Sequence, residues 1–451
     1  MIHKYTLGGH NIVLDVNSGA VHAVDGLVFD ILESYVPGKA FDAPAWLTDK
    51  YAPADIEEAA GEIDELVRAG ELFSDEDYSG ALARGSVPLK AICLHVAHDC
   101  NLRCNYCFAR EGEYMGARAM MSAETARRAI DFLVESSGER RELEVDFFGG
   151  EPLMNFEVVK DTVAYARSLE EPRGKSFRFT ITTNGIGLTG DIINYVNEEM
   201  YNVVLSLDGR RHVNDAMRRT LGKGSGYDVV VPKFRELAER RRNSRGKSLY
   251  LRGTFTRDNM DFAEDVAHIR GLGFDNISIE PVVAQPQENF SIREEDLPRI
   301  FDEYEVLAQR LLEQGDTNFF HFNIDLRGGP CVIKRLTGCG AGTEYLAITP
   351  DGSVYPCHQF VGREGYCLGN LAEGITDTAL RDELGSLNVY TKPDCVQCWA
   401  KFYCGGGCVA NSLSYAGDLR SSYKIGCDMH RKRVECAIMM KVATEEEAHV
   451  E

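Results

Sequence analysis

Ile92-Cys93-Leu94-His95-Val96-Ala97-His98-Asp99-Cys100-Asn101-Leu102-Arg103-Cys104-Asn105-Tyr106-Cys107 decides the fold. Residues 91–97 are apolar and β-prone enough for a buried strand. Directly after them comes C-x3-C-x2-C, formed by Cys100, Cys104 and Cys107. Cysteines at two fixed offsets behind a strand seldom arise by chance. Three thiolates can hold three irons of a 4Fe–4S cubane and leave the fourth iron open. A structural zinc site wants four ligands, and no fourth stands nearby in the chain.

Outward from this stretch the pattern alternates strand and helix. Strands are expected at 91–97, 143–148, 177–182, 202–207, 249–255 and 276–280, with helices between them, such as Ala123–Ser136 and Phe156–Leu169. Such alternation predicts an α/β fold with a parallel sheet, right-handed crossovers and a site at the strands' C-terminal edge. Six strands predict an open, partial (β/α)6 barrel over residues 88–325.

Residues 1–80 predict a separate winged-helix-like module. Two short apolar runs flank Asn17-Ser18-Gly19, a hairpin signal. Helices are expected over Leu27–Tyr35 and Asp55–Ala69, and a last short strand at Leu72-Phe73. Residues 74–80 read as a polar linker. Residues 328–445 are rich in Cys and Gly with few long periodic segments, so metal has to organise them.

Composition narrows the function. There are 70 Asp+Glu against 49 Lys+Arg, a net charge of −21. That argues against a nucleic-acid partner, which needs a basic footprint. Residues 1–80 alone hold 16 acidic and 4 basic residues. No apolar run is long enough to span a membrane, and the first residues lack a signal-peptide core, so a cytoplasmic location is expected. Fourteen cysteines in such a compartment favour metal or catalysis over disulfides. Ten of them lie between Cys331 and Cys436. Cys93, Cys367 and Cys436 are read as packing residues.

The C-x3-C-x2-C motif and the segments downstream of it resemble the radical S-adenosylmethionine (SAM) superfamily. The resemblance implies that the open iron chelates SAM and that one electron releases a 5′-deoxyadenosyl radical. Its further stations come after successive predicted strands. Gly149-Gly150-Glu151 offers close backbone approach and a carboxylate for the SAM ammonium. Asn184 stands in Thr182-Thr183-Asn184-Gly185. Ser206 and Asp208 suit a ribose. Arg218 resembles the arginine aimed at the SAM carboxylate, and Tyr106 the residue whose backbone borders the adenine.

Cys395-x2-Cys398-x5-Cys404-x3-Cys408, then Cys427, preceded by Cys339, Gly352 and Cys357, resembles the SPASM auxiliary-cluster domain. The resemblance assigns Cys395, Cys398, Cys404 and Cys427 to one cluster, and Cys339, Cys357 and Cys408 to the other. Three 4Fe–4S clusters are thus implied. Cys331 either supplies the eighth auxiliary ligand or leaves one iron open to a substrate thiolate. In sulfatase-maturing relatives an Asp serving as base follows the cysteine equivalent to Cys357. Here His358 stands there, which counts against that reaction.

Residues 1–80 resemble leader-peptide recognition modules, which add an extended peptide as an extra strand. The whole chain is most similar to the SCIFF maturases, through Asn11–Val21 (NIVLDVNSGAV), Glu144–Asn155 (EVDFFGGEPLMN) and Trp399–Cys404 (WAKFYC). That resemblance implies Cys-to-Thr thioether formation in a short Cys-rich precursor peptide, with a small electron-donor protein as reductant. The rival readings are an oxidising maturase that makes carbon–carbon links or formylglycine, and an iron–sulfur electron carrier or leader-binding scaffold. An electron carrier has no need of the Glu151 and Ser206 stations.

Overall fold

The computed structural model describes residues 1–450 apart from 76–77, 83–86, 111, 115, 223, 243, 245, 316–317, 325 and 327–331. Six parallel strands carry the central sheet: β1 Ala91–His98, β2 Glu142–Gly149, β3 Ser176–Thr183, β4 Met200–Ser206, β5 Ser248–Phe255 and β6 Asn276–Pro281. Each pairs with its sequence neighbour, so spatial order follows chain order. The helices between and after them are α1 Ala123–Ser136, α2 Phe156–Arg173, α3 Gly190–Glu199, α4 Gly226–Arg241, α5 Phe262–Gly271 and α6 Leu297–Gln314. Side chains along the strands point alternately to the helices and to the interior. Ile92, Leu94 and Val96 join Ala126, Ile130 and Leu133 in the main core. Cys93 instead joins the inner group with Phe148, Tyr345 and Tyr355. Polar residues on the inner face, among them Arg252 and Glu280, are thereby turned toward the barrel's interior.

The cysteine-rich region is not a loose appendage. Its strand β7, Tyr345–Ile348, pairs in parallel with β1, with Tyr345 opposite Ala91 and Ile348 opposite Leu94. The sheet then continues antiparallel through Ser353–Tyr355, Gly369–Asn370 and Gly374–Ile375. The chain ends in α7, Lys424–Val450, a helix the sequence pattern did not predict. Its apolar residues Met429, Val434, Ala437 and Ile438 are buried, and Lys432 pairs with Glu305 of α6 at 2.5 Å.

Residues 1–75 form three antiparallel strands, Ile2–Leu7, His10–Asp15 and Val21–Val24, followed by helices Gly26–Ile31, Ala45–Thr48 and Pro53–Ala69. The first strand escaped the sequence reading because His3, Lys4, Tyr5 and Thr6 give it no apolar run. The helix expected over Leu27–Tyr35 stops at Ile31. Leu72-Phe73 is not a strand. Phe73 has φ +53°, outside the β region, and Leu72 plugs the module's core beside Ile31, Leu47 and Ile63.

Asp15 closes this module. Its buried carboxylate accepts from Ser18 N (2.8 Å), Ser18 Oγ (2.9 Å), Ser74 N (3.0 Å) and Ser74 Oγ (2.6 Å). Burial pushes its pKa up, but these hydrogen bonds outweigh it and hold the group below its usual value. The stabilisation is therefore present above the usual carboxylate range and is lost as pH falls below it. Asp15→Ala leaves buried donors unpaired and should cost about 2–4 kcal/mol. Hydrogen exchange is expected to accelerate over residues 10–24 and 70–74 and to stay unchanged in β2 and β3.

Candidate active site

The cluster loop begins where β1 ends. Asp99 Oδ1 accepts from Cys100 N at 2.8 Å. Leu102–Cys104 then forms a short antiparallel ladder with Arg218–Thr220, with Arg218 directly opposite Cys104. Cys107 N donates to Cys104 O at 3.1 Å and closes the turn. The three thiols are thus held by the strand end on one side and by the segment carrying Arg218 on the other.

Gly149 and Gly150 approach the protein's own backbone. Gly150 N donates to Ala97 O (2.8 Å) and Glu151 N to Asp99 O (3.0 Å). A Cβ on Gly149 would stand 2.3 Å from Ala97 O, and one on Gly150 would stand 2.1 Å from Asp99 O. These glycines seat the end of β2 on the residues that lead into Cys100.

Glu151 is buried and accepts from Thr183 Oγ1 (2.6 Å), Asn184 N (2.8 Å) and Leu153 N (3.0 Å). Burial pushes its carboxyl up to about 7, against the downward pull of these donors. Asn184 Nδ2 donates to Asn101 Oδ1 at 2.8 Å and lies 3.6 Å from Cys100 Sγ. Asn184 therefore joins the cluster loop to the carboxylate station.

Asp208 turns inward. It is fully buried and accepts from Tyr106 Oη (2.6 Å), Arg218 Nε (3.0 Å) and Thr254 N (3.0 Å). It holds Tyr106 and Arg218 in place, and those two side chains line the cavity together with Ser206.

That cavity is about 400 Å³. One wall carries Cys100, Cys104, Cys107, Gly149, Gly150, Glu151 and Asn184. The cysteine-rich domain contributes His358, Gln359, Cys408 and Asn411 to the lining. Arg252 and Glu280, from β5 and β6, also line it and pair at 3.5 Å. The sequence reading missed these two, although each is a charged residue within a β-prone run, preceded by the buried apolar Leu251 or Ile279. His358 packs against Phe148 and Phe108 at ring separations of 5.0 and 5.5 Å. Burial drives its pKa down to about 4, so it is neutral at pH 7.

The remaining cysteines fall into two groups. Burial pushes the Cys404 thiol up to about 12, and Cys427, Cys395 and Cys398 add to the effect. Cys357 is raised by burial to about 12, with Cys408 and Cys339 contributing. Cys331 lies outside the described residues. Cys93 and Cys436 are buried in packed cores, as read from the sequence, but Cys367 is exposed and its thiol donates to Gly369 O at 3.3 Å. Among the described residues no three Cys, His, Asp or Glu side chains close on one point as a single ion requires. Ligands of a cubane stand further apart, because iron and sulfide lie between them, so the donor sets fit clusters better than lone ions.

Residues 94–266 match the Radical SAM superfamily, and residues 339–399 match SPASM, an iron-sulfur cluster-binding domain. The chain carries a radical SAM domain and a SPASM domain. This organisation is that of a radical SAM enzyme, with 4Fe–4S clusters and SAM as cofactors. The radical SAM cyclopropyl synthase TigE of Paramaledivibacter caminithermalis is 25% identical over 360 residues, covering 76% of this chain and 72% of TigE. The mycofactocin maturase MftC of Mycolicibacterium smegmatis is 27% identical over 333 residues, covering 71% and 78%. The fold is shared with anSMEcpe with bound AdoMet (TM-score 0.65, 17% identity, 80% of this chain and 100% of that one). It is also shared with Streptococcus suis SuiB bound to precursor peptide SuiA (TM-score 0.54, 16% identity, 93% and 97%). Among the described residues no helix is long and apolar enough to cross a membrane.

Gly150→Ala should displace Asp99 and with it the radical SAM cluster loop. The forced backbone shift should cost roughly 3 kcal/mol locally. Iron and sulfide analysis after anaerobic reconstitution is expected to fall by about four irons per chain.

Proposed function

We propose that this chain is a radical SAM peptide maturase that forms Cys-to-Thr thioether crosslinks in a short Cys-rich precursor peptide. One observation carries the reading: Cys100, Cys104, Cys107 and Cys408 line the same cavity. A substrate in that space meets the SAM-cluster cysteines on one side and an auxiliary ligand set on the other. Relatives fit the class, since SuiB was solved with a precursor peptide and MftC is named a maturase.

Each unit of the chain has a role in this reading. The N-terminal module, read from its sequence pattern as winged-helix-like, binds the leader of the precursor as an added strand. Tethering then raises the effective concentration of the core peptide in the cavity. Its excess of acidic residues selects a basic leader. Cys100, Cys104 and Cys107 hold the first cluster, while Glu151, Asn184, Ser206 and Arg218 receive SAM. Asp208 acts through Tyr106 and Arg218, which it fixes. Cys395, Cys398, Cys404 and Cys427 hold one auxiliary cluster, and Cys339, Cys357 and Cys408 the other. Cys331 is either its displaceable last ligand or absent from it.

When bound, SAM and the clusters supply an oxidant for hydrogen-atom removal and a sink for one electron. Each link breaks one C–H and one S–H bond and makes one C–S bond. His358 is uncharged, so it adds no charge to the wall facing the threonine carbon. A small electron-donor protein in the cytoplasm supplies the starting electron.

The test is product analysis. Anaerobic turnover with a short Cys-rich candidate precursor peptide should release 5′-deoxyadenosine. The peptide should become lighter by two hydrogens per link, with one fewer alkylatable thiol. Loss of the hydrogens with every thiol retained would establish carbon–carbon linkage and defeat the thioether reading. Wild-type chain should load about twelve irons, and Cys100/Cys104/Cys107→Ala about eight, with no 5′-deoxyadenosine formed. Iron for a single cluster in the wild type would remove the auxiliary assignment.

A further inference from the structure

Among the described residues only two lysines are buried, Lys392 and Lys401, at 1% and 8% exposure. Both flank the Cys395–Cys398 pair. Lys392 Nζ donates to Gly406 O (2.8 Å) and Ser412 Oγ (3.2 Å). Lys401 Nζ donates to Val396 O (3.1 Å) and lies 5.1 Å from the centre of the Phe402 ring. Neither has a carboxylate within ion-pair distance among the described residues. A buried ammonium without an anion costs several kcal/mol. A chain of net charge −21 has an excess of carboxylates, yet among the described residues none is ion-paired with either lysine.

Both ammonium groups sit on carbonyls inside the ligand-bearing turns. Lys392 Nζ holds the carbonyl of Gly406, which lies between Cys404 and Cys408, and Lys401 Nζ holds that of Val396, which lies between Cys395 and Cys398. Cys404 and Cys408 are assigned to different auxiliary sets, so Lys392 stands at the segment that joins the two. Arg431 also lies near Cys398, but it is paired with Asp428 and its charge is already offset. A cubane with thiolate ligands is anionic and becomes more so on reduction, so a fixed positive charge beside it favours the reduced form.

We propose that Lys392 and Lys401 are the built-in counter-charges of the auxiliary clusters and raise their reduction potentials. The proposal rests on the auxiliary-cluster part of the proposed function. Both lysines are positioning residues, since neither touches the substrate cavity.

The test uses the full chain carrying Cys100/Cys104/Cys107→Ala, reconstituted anaerobically, so that only auxiliary clusters report. Lys392→Met and Lys401→Met, each added to this parent, should retain about eight irons. Potentiometric titration followed by electron paramagnetic resonance should move to more negative potential in each. Lys401→Arg, which keeps the charge, should stay at the parent value. If Lys392→Met loads no iron, Lys401→Met and Lys401→Arg decide the matter. Iron retained with an unmoved midpoint in the Met variants overturns the proposal. A parent without auxiliary iron overturns instead the cluster reading beneath it.

Discussion

Everything at the centre of this molecule depends on one backbone-to-backbone seat, where Gly149–Glu151 lies on Ala97–Asp99. It joins the ends of two parallel strands at the point where the first gives rise to Cys100. No side chain larger than hydrogen fits at Gly149 or Gly150. The same contact delivers Glu151 into a buried pocket of three donors and, through Asn184, reaches the cluster loop from the other side. The cluster loop and the carboxylate station are therefore a single rigid assembly, which is what preorganised chemistry requires.

Charge is arranged around the same centre. Asp208 is engaged entirely inside the protein, by Tyr106, Arg218 and Thr254. A buried carboxylate so fully engaged is a fixed strut, and it explains how an arginine twelve residues beyond Ser206 can be aimed with little freedom. Elsewhere in the cavity lining Glu280 faces Arg252 at 3.5 Å, His321 at 3.5 Å and Arg433 at 3.9 Å. Burial pushes Glu280 up, but these neighbours outweigh it and hold the carboxyl below its usual value.

Much of this was legible in the sequence because the signals were periodic or spaced. The six strands declared themselves by β-prone runs between helical segments. The cysteines declared themselves by offset. What stayed hidden depends on tertiary partners. The strand Ile2–Leu7 is polar in sequence and becomes a strand by pairing with His10–Asp15. Leu72 looks β-prone but serves as a core plug. Asp208 follows a strand end like a ligand-facing residue, and only the position of Arg218 shows that it turns inward. Lys392 carries no local mark of burial at all.

The N-terminal sheet is clamped to the far end of the chain. The His3 ring stacks on Trp399 with centroids 3.7 Å apart, and its Nε2 lies 3.0 Å from Glu435 Oε1, while Tyr5 Oη donates to Glu435 O at 3.0 Å. Trp399 is the residue after Cys398, and α7, which carries Glu435, also carries Cys427. The module and the auxiliary site thus share one mechanical frame. Under the proposed function, a peptide gripped by the module is measured from a fixed origin, and the residue that arrives in the cavity is set by chain length from the grip. On that reading the frame is a ruler: it tolerates changes of sequence along the peptide and punishes insertions and deletions.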